Sequence, residues 1–154
     1  MNIVIANRQR VKSFDLRMLK KITAALFAEL NIAGAAIEIN LLSAAEMAAL
    51  NETFLKHEGP TDVLTFDYGS SKSRLQGEIF VCVDEAVLQA RTFGTQWQSE
   101  IVRYLIHGIL HLLGYDDLDA GPRRRMRREE NLLLRKLARK FSLAQIGGAP
   151  KLRA

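Results

Sequence analysis

The chain has 154 residues, 48% hydrophobic and 25% charged, the proportions of one folded globular domain and not of a disordered segment. A single cysteine, Cys82, excludes an internal disulfide and a cysteine-rich zinc module, and points to a reducing compartment. The formal charge of +5 is unevenly held: residues 1–120 are net −4, whereas residues 121–154 carry 11 basic and 2 acidic side chains, net +9. Such a block marks either contact with a polyanion such as nucleic acid or a solvated helix face.

Asn2 to Asn7 reads as a short strand. Leu16, Leu19, Ile22, Leu26, Phe27 and Leu30 recur at helical spacing and predict a helix over Ser13 to Leu30. Ile37, Ile39 and Leu41 alternate as in a half-buried strand from Ala36 to Leu42. Ser43 and Glu46 form a capping-box pattern that opens a helix to about Phe54. After a loop, Asp62 to Tyr68 is a strand, and GSSKSRLQG is a polar, mobile loop before a strand over Glu78 to Val83. Asp84 suits the cap of a helix from Glu85 to Phe93.

Thr95 and Gln98 form a second capping-box pattern. The helix they open runs to Leu113 and is apolar nearly all round from Ile101, which predicts burial. Its apolar run is too short to span a bilayer and contains Arg103, His107 and His111. The N-terminus lacks the order of a secretory leader, so a soluble cytoplasmic protein without membrane contact is expected. Gly114 stops the buried helix, and Pro122 suits the first position of a last one. That last helix sets Met126, Leu133, Leu134, Leu137 and Phe141 on one face and arginines on the other, with Glu129 and Glu130 pairing to some of them. Four strands and five helices predict an α/β or α+β sandwich over residues 1–145, of which the α+β form is expected. Its mixed sheet would be packed with helices around the buried one, and residues 146–154 would form a frayed tail.

Two of the three histidines, His107 and His111, lie four apart on that buried helix, so both imidazoles converge on one point. A catalytic zinc takes three protein ligands and keeps one position open. Asp117 follows the glycine stop and can fold back over the helix end to complete the set. Leaving two buried imidazoles unpaired would cost on the order of 1–3 kcal/mol each, which favours a ligand role. Helical zinc peptidases place a Glu general base beside the first His, and here that position is Gly108. Trp97 shares helical spacing with Ile101 and belongs to the core more than to a base-stacking platform.

The stretch His107-Gly108-Ile109-Leu110-His111-Leu112-Leu113-Gly114-Tyr115-Asp116-Asp117 resembles the signature of the YbeY family of bacterial rRNA maturation factors and single-strand endoribonucleases. Leu50-Asn51 with Pro60-Thr61-Asp62-Val63-Leu64-Thr65-Phe66, and Gly77-Glu78-Ile79, are similar to two further blocks of that family. The resemblance implies a metal-dependent endoribonuclease holding one zinc ion per chain on His107, His111 and Asp117. It implies single-stranded RNA and the small ribosomal subunit as partners. Its role would be maturation of the 3′ end of the small-subunit RNA, with ribosome assembly and quality control. The nucleophile would be a water activated by the ion or an RNA 2′-hydroxyl.

Two positions depart from the family. Asp117 stands where a third His is usual, and Leu55 where an Arg directed at the RNA phosphate is common. Lys56 and His57 adjoin Leu55 and are the candidate catalytic cations. Thr61, Asp62, Arg124, Arg125 and Arg128 are the candidate substrate-binding residues. A non-catalytic assembly factor with a structural metal, and a metallopeptidase, are the alternative functions.

Overall fold

The structure is a computed structural model, which describes residues 1–55 and 62–148. Lys56, His57 and Thr61 lie outside the described residues. In chain order the elements are β1 (Asn2–Asn7), α1 (Leu16–Glu29), β2 (Gly34–Leu42), α2 (Ala44–Leu55), β3 (Val63–Asp67), β4 (Arg74–Cys82), α3 (Val83–Phe93), α4 (Trp97–Leu112), α5 (Ala120–Lys140) and a short 3-10 helix, Leu143–Gly147.

The four strands form one mixed sheet in the order β1-β2-β4-β3. β1, β2 and β4 are parallel, and β3 runs antiparallel to β4 along the edge. The larger core lies on one face, where Ile3, Ile37, Ile39, Leu75 and Ile79 meet apolar side chains of α1, α4 and α5. On the other face Leu42, Leu64 and Cys82 pack with Met47 of α2 in a smaller cluster. The expected α+β domain, with a mixed four-stranded sheet and five helices, is what the chain forms.

α4 occupies the centre. Ile101, Val102, Leu105, Ile106, Gly108, Ile109, Leu110 and Leu112 are all buried along it, and it packs against β3, β4, α3, α5 and the 3-10 helix. Each buried Leu or Ile contributes about 1.5–3 kcal/mol relative to an exposed one, so this helix is the best-anchored platform in the molecule. Trp97, at its start, is partly buried against the core and meets Phe14 edge-on, with ring centroids 5.2 Å apart.

Local chemistry moved several boundaries. α1 starts at Leu16, not Ser13, because the Asp15 carboxylate accepts the Met18 N–H (3.0 Å) and caps the helix there. β4 begins at Arg74, four residues earlier than expected. Leu75 and Gly77 continue the buried alternation of Ile79 and Val81, and β2 offers partners from Gly34 onward. Asp84 lies inside the first turn of α3 and caps a different helix, its carboxylate accepting the Ala44 N–H of α2 at 2.5 Å. Thr95 does not cap α4; its hydroxyl donates to Glu100 (2.8 Å), and the helix opens after Gln96. Pro122 is the third residue of α5 and not the first, since the helix opens at Ala120. The tail expected from Ile146 is anchored further: Ile146 is fully buried, and its carbonyl accepts the Asp15 N–H at 2.7 Å. Residues 149–154 lie outside the described residues.

Candidate metal centre

The site forms where α4 ends. His107 and His111 sit on successive turns of α4, and Gly114, at φ 98°, supplies the left-handed backbone that turns the chain back. The Tyr115 N–H closes this turn on the Leu110 carbonyl (2.9 Å). Asp117 then returns over the helix end. His107 Nε2 lies 3.0 Å from His111 Nε2, and Asp117 Oδ2 is 3.5 Å from the first and 3.6 Å from the second. The three expected ligands are therefore together, and the expected third ligand is Asp117, not Asp116, whose carboxylate accepts the Leu118 N–H (2.8 Å).

Both imidazoles are fixed by their other nitrogen. A carboxylate and a carbonyl only accept, so His107 Nδ1 donates to Glu130 Oε1 (2.5 Å) and His111 Nδ1 donates to the Tyr115 carbonyl (3.1 Å). Nε2 of each ring is left to face the other and the Asp117 oxygen. Two ring nitrogens and a carboxylate pointed at one another without a cation would repel. Donors held at about 2.0–2.1 Å on a tetrahedral ion sit roughly 3.4 Å apart. The observed separations bracket that spacing, and the donor set, two imidazoles and one carboxylate, suits a borderline divalent ion such as zinc.

Electrostatics reinforce the arrangement. Burial alone would lower the His107 imidazole. The Glu130 hydrogen bond and charge, then Asp117 and Asp62, outweigh it and hold the group above its ordinary value. Glu130 is 8% exposed on the inner face of α5. Arg123, at the start of the same helix, donates to the carbonyls of Asp117 (3.1 Å) and Leu118 (3.2 Å) and so ties down the returning loop.

The donors open onto a cleft of roughly 440 Å³ whose far wall is β3. Asp62, Val63, Leu64, Thr65 and Asp67 line it with His107, His111, Leu112 and Asp117. Asp62 thus lines the same cleft as the three candidate donors. Asp67 accepts the Ser70 and Gly69 N–H groups, which hold its carboxyl below the usual range. Gly108 explains how α4 comes this near the sheet. A Cβ there would stand 3.0 Å from Ile79 Cγ2 and 3.2 Å from Thr65 Oγ1. Gly77 has the same role from below: a Cβ there would collide with the Phe66 carbonyl oxygen and press on Leu112.

The three predicted arginines are elsewhere. Arg124, Arg125 and Arg128 are exposed on α5 and do not line the metal cleft. Arg125 and Arg128 line a second groove with Tyr115, Glu129, Leu132 and Arg135. Burial raises the Tyr115 phenol above its ordinary value, and the nearby Glu129 charge adds to this. The expected pairing of Glu129 and Glu130 with helix arginines is not made: Glu130 turns inward to His107, and no ion pair to Glu129 forms among the described residues. Glu130 and Arg123 were not foreseen as parts of the site. A signal for Glu130 existed, because Met126, Glu130, Leu133 and Leu137 share one helical face and a lone carboxylate stands in that apolar stripe.

Comparison with known proteins agrees with this geometry. A family model described as Endoribonuclease YbeY matches residues 4–138. Relatives named Endoribonuclease YbeY include a Finegoldia magna protein, 33% identical over 144 residues, or 89% of this chain and 94% of the relative. Another, from Chlorobium luteolum, is 41% identical over 90 residues, covering 58% of this chain and 65% of the relative, so the chain spans just under two thirds of that protein's length. A Thermotoga maritima protein solved in solution superposes with a TM-score of 0.70 at 25% identity, covering 98% of this chain and 99% of its own. With the family model matched over most of its length and its histidine pair, glycine turn and returning Asp117 drawn together in space, the chain belongs to the YbeY family.

Proposed function

We propose that this chain is a metal-dependent endoribonuclease of rRNA maturation, acting on single-stranded RNA of the small ribosomal subunit in the cytoplasm. The observation that carries the reading is the convergence of His107 Nε2, His111 Nε2 and Asp117 Oδ2 at the mouth of an open cleft. His107, His111 and Asp117 would hold one zinc ion. A bound divalent ion supplies Lewis acidity, polarising a phosphoryl oxygen and making water a better nucleophile at neutral pH. The chain's own residues do the rest. Glu130 and the Tyr115 carbonyl hold the two rings in one tautomer and orientation. Asp62 and Thr65 on the opposite wall bound the space left for a phosphodiester. The arginines of α5, Arg124, Arg125 and Arg128 among them, attract the RNA backbone, and Lys56 and His57 are proposed as cations near the scissile phosphate.

No helix among the described residues is long and apolar enough to cross a membrane. Two observations weigh against the alternatives. A structural zinc is closed by four protein donors, and the cluster among the described residues has three beside an open cleft. The position of a peptidase general base is Gly108, where a Cβ would press on Ile79 and Thr65. Elemental analysis of protein purified without chelators should give near-equal molarity of a transition metal. RNase assays should show cleavage by the wild type and not by His111→Ala. Cleavage of casein in place of RNA, or full activity of His111→Ala, would overturn the proposal.

A further inference from the structure

The second groove holds an arrangement that the metal cleft does not use. It measures roughly 410 Å³ and lies between the turn after α4 and the outer face of α5, bordered by Tyr115, Arg125, Arg128, Glu129, Leu132 and Arg135. Arg125, Arg128 and Arg135 are exposed, and none makes an ion pair within 4.0 Å among the described residues. Glu129 is likewise unpaired by any cation among them. Three guanidinium groups and a carboxylate thus share one groove without forming an ion pair. The groove is joined to the metal centre through Tyr115, whose carbonyl receives the His111 Nδ1–H while its side chain borders the groove. A neighbouring depression, bordered by Leu113, Gly114, Asp116 and Pro122, shares Tyr115 and Arg125 with the groove.

Charge sorts what such a groove accepts. Three cations spread over about 15 Å of helix suit a chain of phosphates and not a single anion. A tyrosine ring with an apolar neighbour, Leu132, offers a surface for a base, and stacking of this kind tolerates any base. Glu129 does not. A carboxylate only accepts, so it is served best by an edge that presents an amino group, such as cytosine N4; uracil has the O4 acceptor at that position and only the inner N3–H to donate.

We infer that this groove is a nucleotide subsite next to the metal centre, selective for a base bearing an exocyclic amino group. The base packs on Tyr115 and donates to Glu129. Arg125, Arg128 and Arg135 hold the flanking phosphates. The inference rests on the reading of RNA as the substrate and adds to it a sequence preference set by one side chain.

The test uses the full metal-loaded chain and short 2′-O-methyl oligocytidylate and oligouridylate of equal length, followed by fluorescence anisotropy. The cytidine oligomer should bind about fivefold more tightly, the worth of one hydrogen bond. Glu129→Gln should abolish that preference, since an amide pairs with either edge. Arg135→Gln should weaken both oligomers equally and lower the slope of log affinity against log salt by about one. Both residues lie on the outer side of α5, and metal content should be unchanged in both variants. Equal binding of the two oligomers by the wild type, or a preference that survives Glu129→Gln, overturns the subsite while leaving the RNA reading standing. Failure of both oligomers to bind at low salt overturns both readings.

Discussion

Replacing Glu130 tests whether α5 builds the metal centre or merely covers it. The carboxylate sits 2.5 Å from His107 Nδ1 with 11% of its side chain exposed, so water does not substitute well for it. Loss of an outer hydrogen bond to a ligating imidazole lowers metal affinity by about 10- to 100-fold, or about 1.4–2.7 kcal/mol. Glu130→Ala belongs near the upper end, because it frees the ring to rotate and to change tautomer. Glu130→Gln keeps an acceptor in place and loses only the charge, so about tenfold is expected. The assay is competition against a chromophoric chelator for zinc, paired with the visible spectrum of the cobalt-loaded protein. Altered cobalt bands in Glu130→Ala, largely restored in Glu130→Gln, would separate ligand orientation from general loss of packing. Wild-type affinity and spectrum in Glu130→Ala would refute the reasoning and reduce the contact to a helix–helix hydrogen bond.

Asp117→His should retain or tighten metal binding, since it supplies an imidazole in the carboxylate's place, whereas Asp117→Ala should weaken it clearly in the same competition assay; a larger loss from Asp116→Ala would reassign the ligand. Gly108→Ala should destabilise the fold by about 1–3 kcal/mol in urea denaturation, because its Cβ presses on Ile79 and Thr65, and an unchanged midpoint would mean the helix lifts freely from the sheet. Replacing Arg124, Arg125 and Arg128 together with Gln should flatten the salt dependence of RNA binding by up to about three units at constant metal content, and an unchanged slope would place the RNA elsewhere. Burial pushes the Cys82 thiol up to about 11, so it stays protonated at neutral pH and should react with a disulfide reagent only after denaturation; rapid reaction of the native protein would contradict its packing against Met47 and Leu64.

The candidate ligand set was legible because it is local. His107 and His111 share a helical face by periodicity alone, and Gly114 with the two aspartates after it announces a return. The burial of α4 followed from its lack of a polar side. What the sequence concealed were pairings across distance. Asp84 has the right chemistry to cap its own helix, yet the N-terminus of α2, forty positions earlier, takes its carboxylate. Arg74 to Gly77 carry loop-like composition, but β2 extends back to Gly34 and draws them into the sheet. Glu130 stands among arginines in the sequence, and only the position of His107 twenty-three residues away gives it another partner. Tertiary context overrode local preference in each case.

The close approach at Gly108 bears on how such a fold diversifies. The helical zinc-peptidase pattern differs from this chain at the residue after His107, where it has a glutamate and this chain has Gly108. Filling that position disturbs the packing beneath it. At Gly108 the new side chain would be directed at Ile79 and Thr65, which already stand 3.0 and 3.2 Å from where its first carbon would be. A side chain at this position would need Ile79 and Thr65 to give way by a few tenths of an ångström. Packing at one backbone position thus separates two patterns that the histidine spacing alone leaves alike.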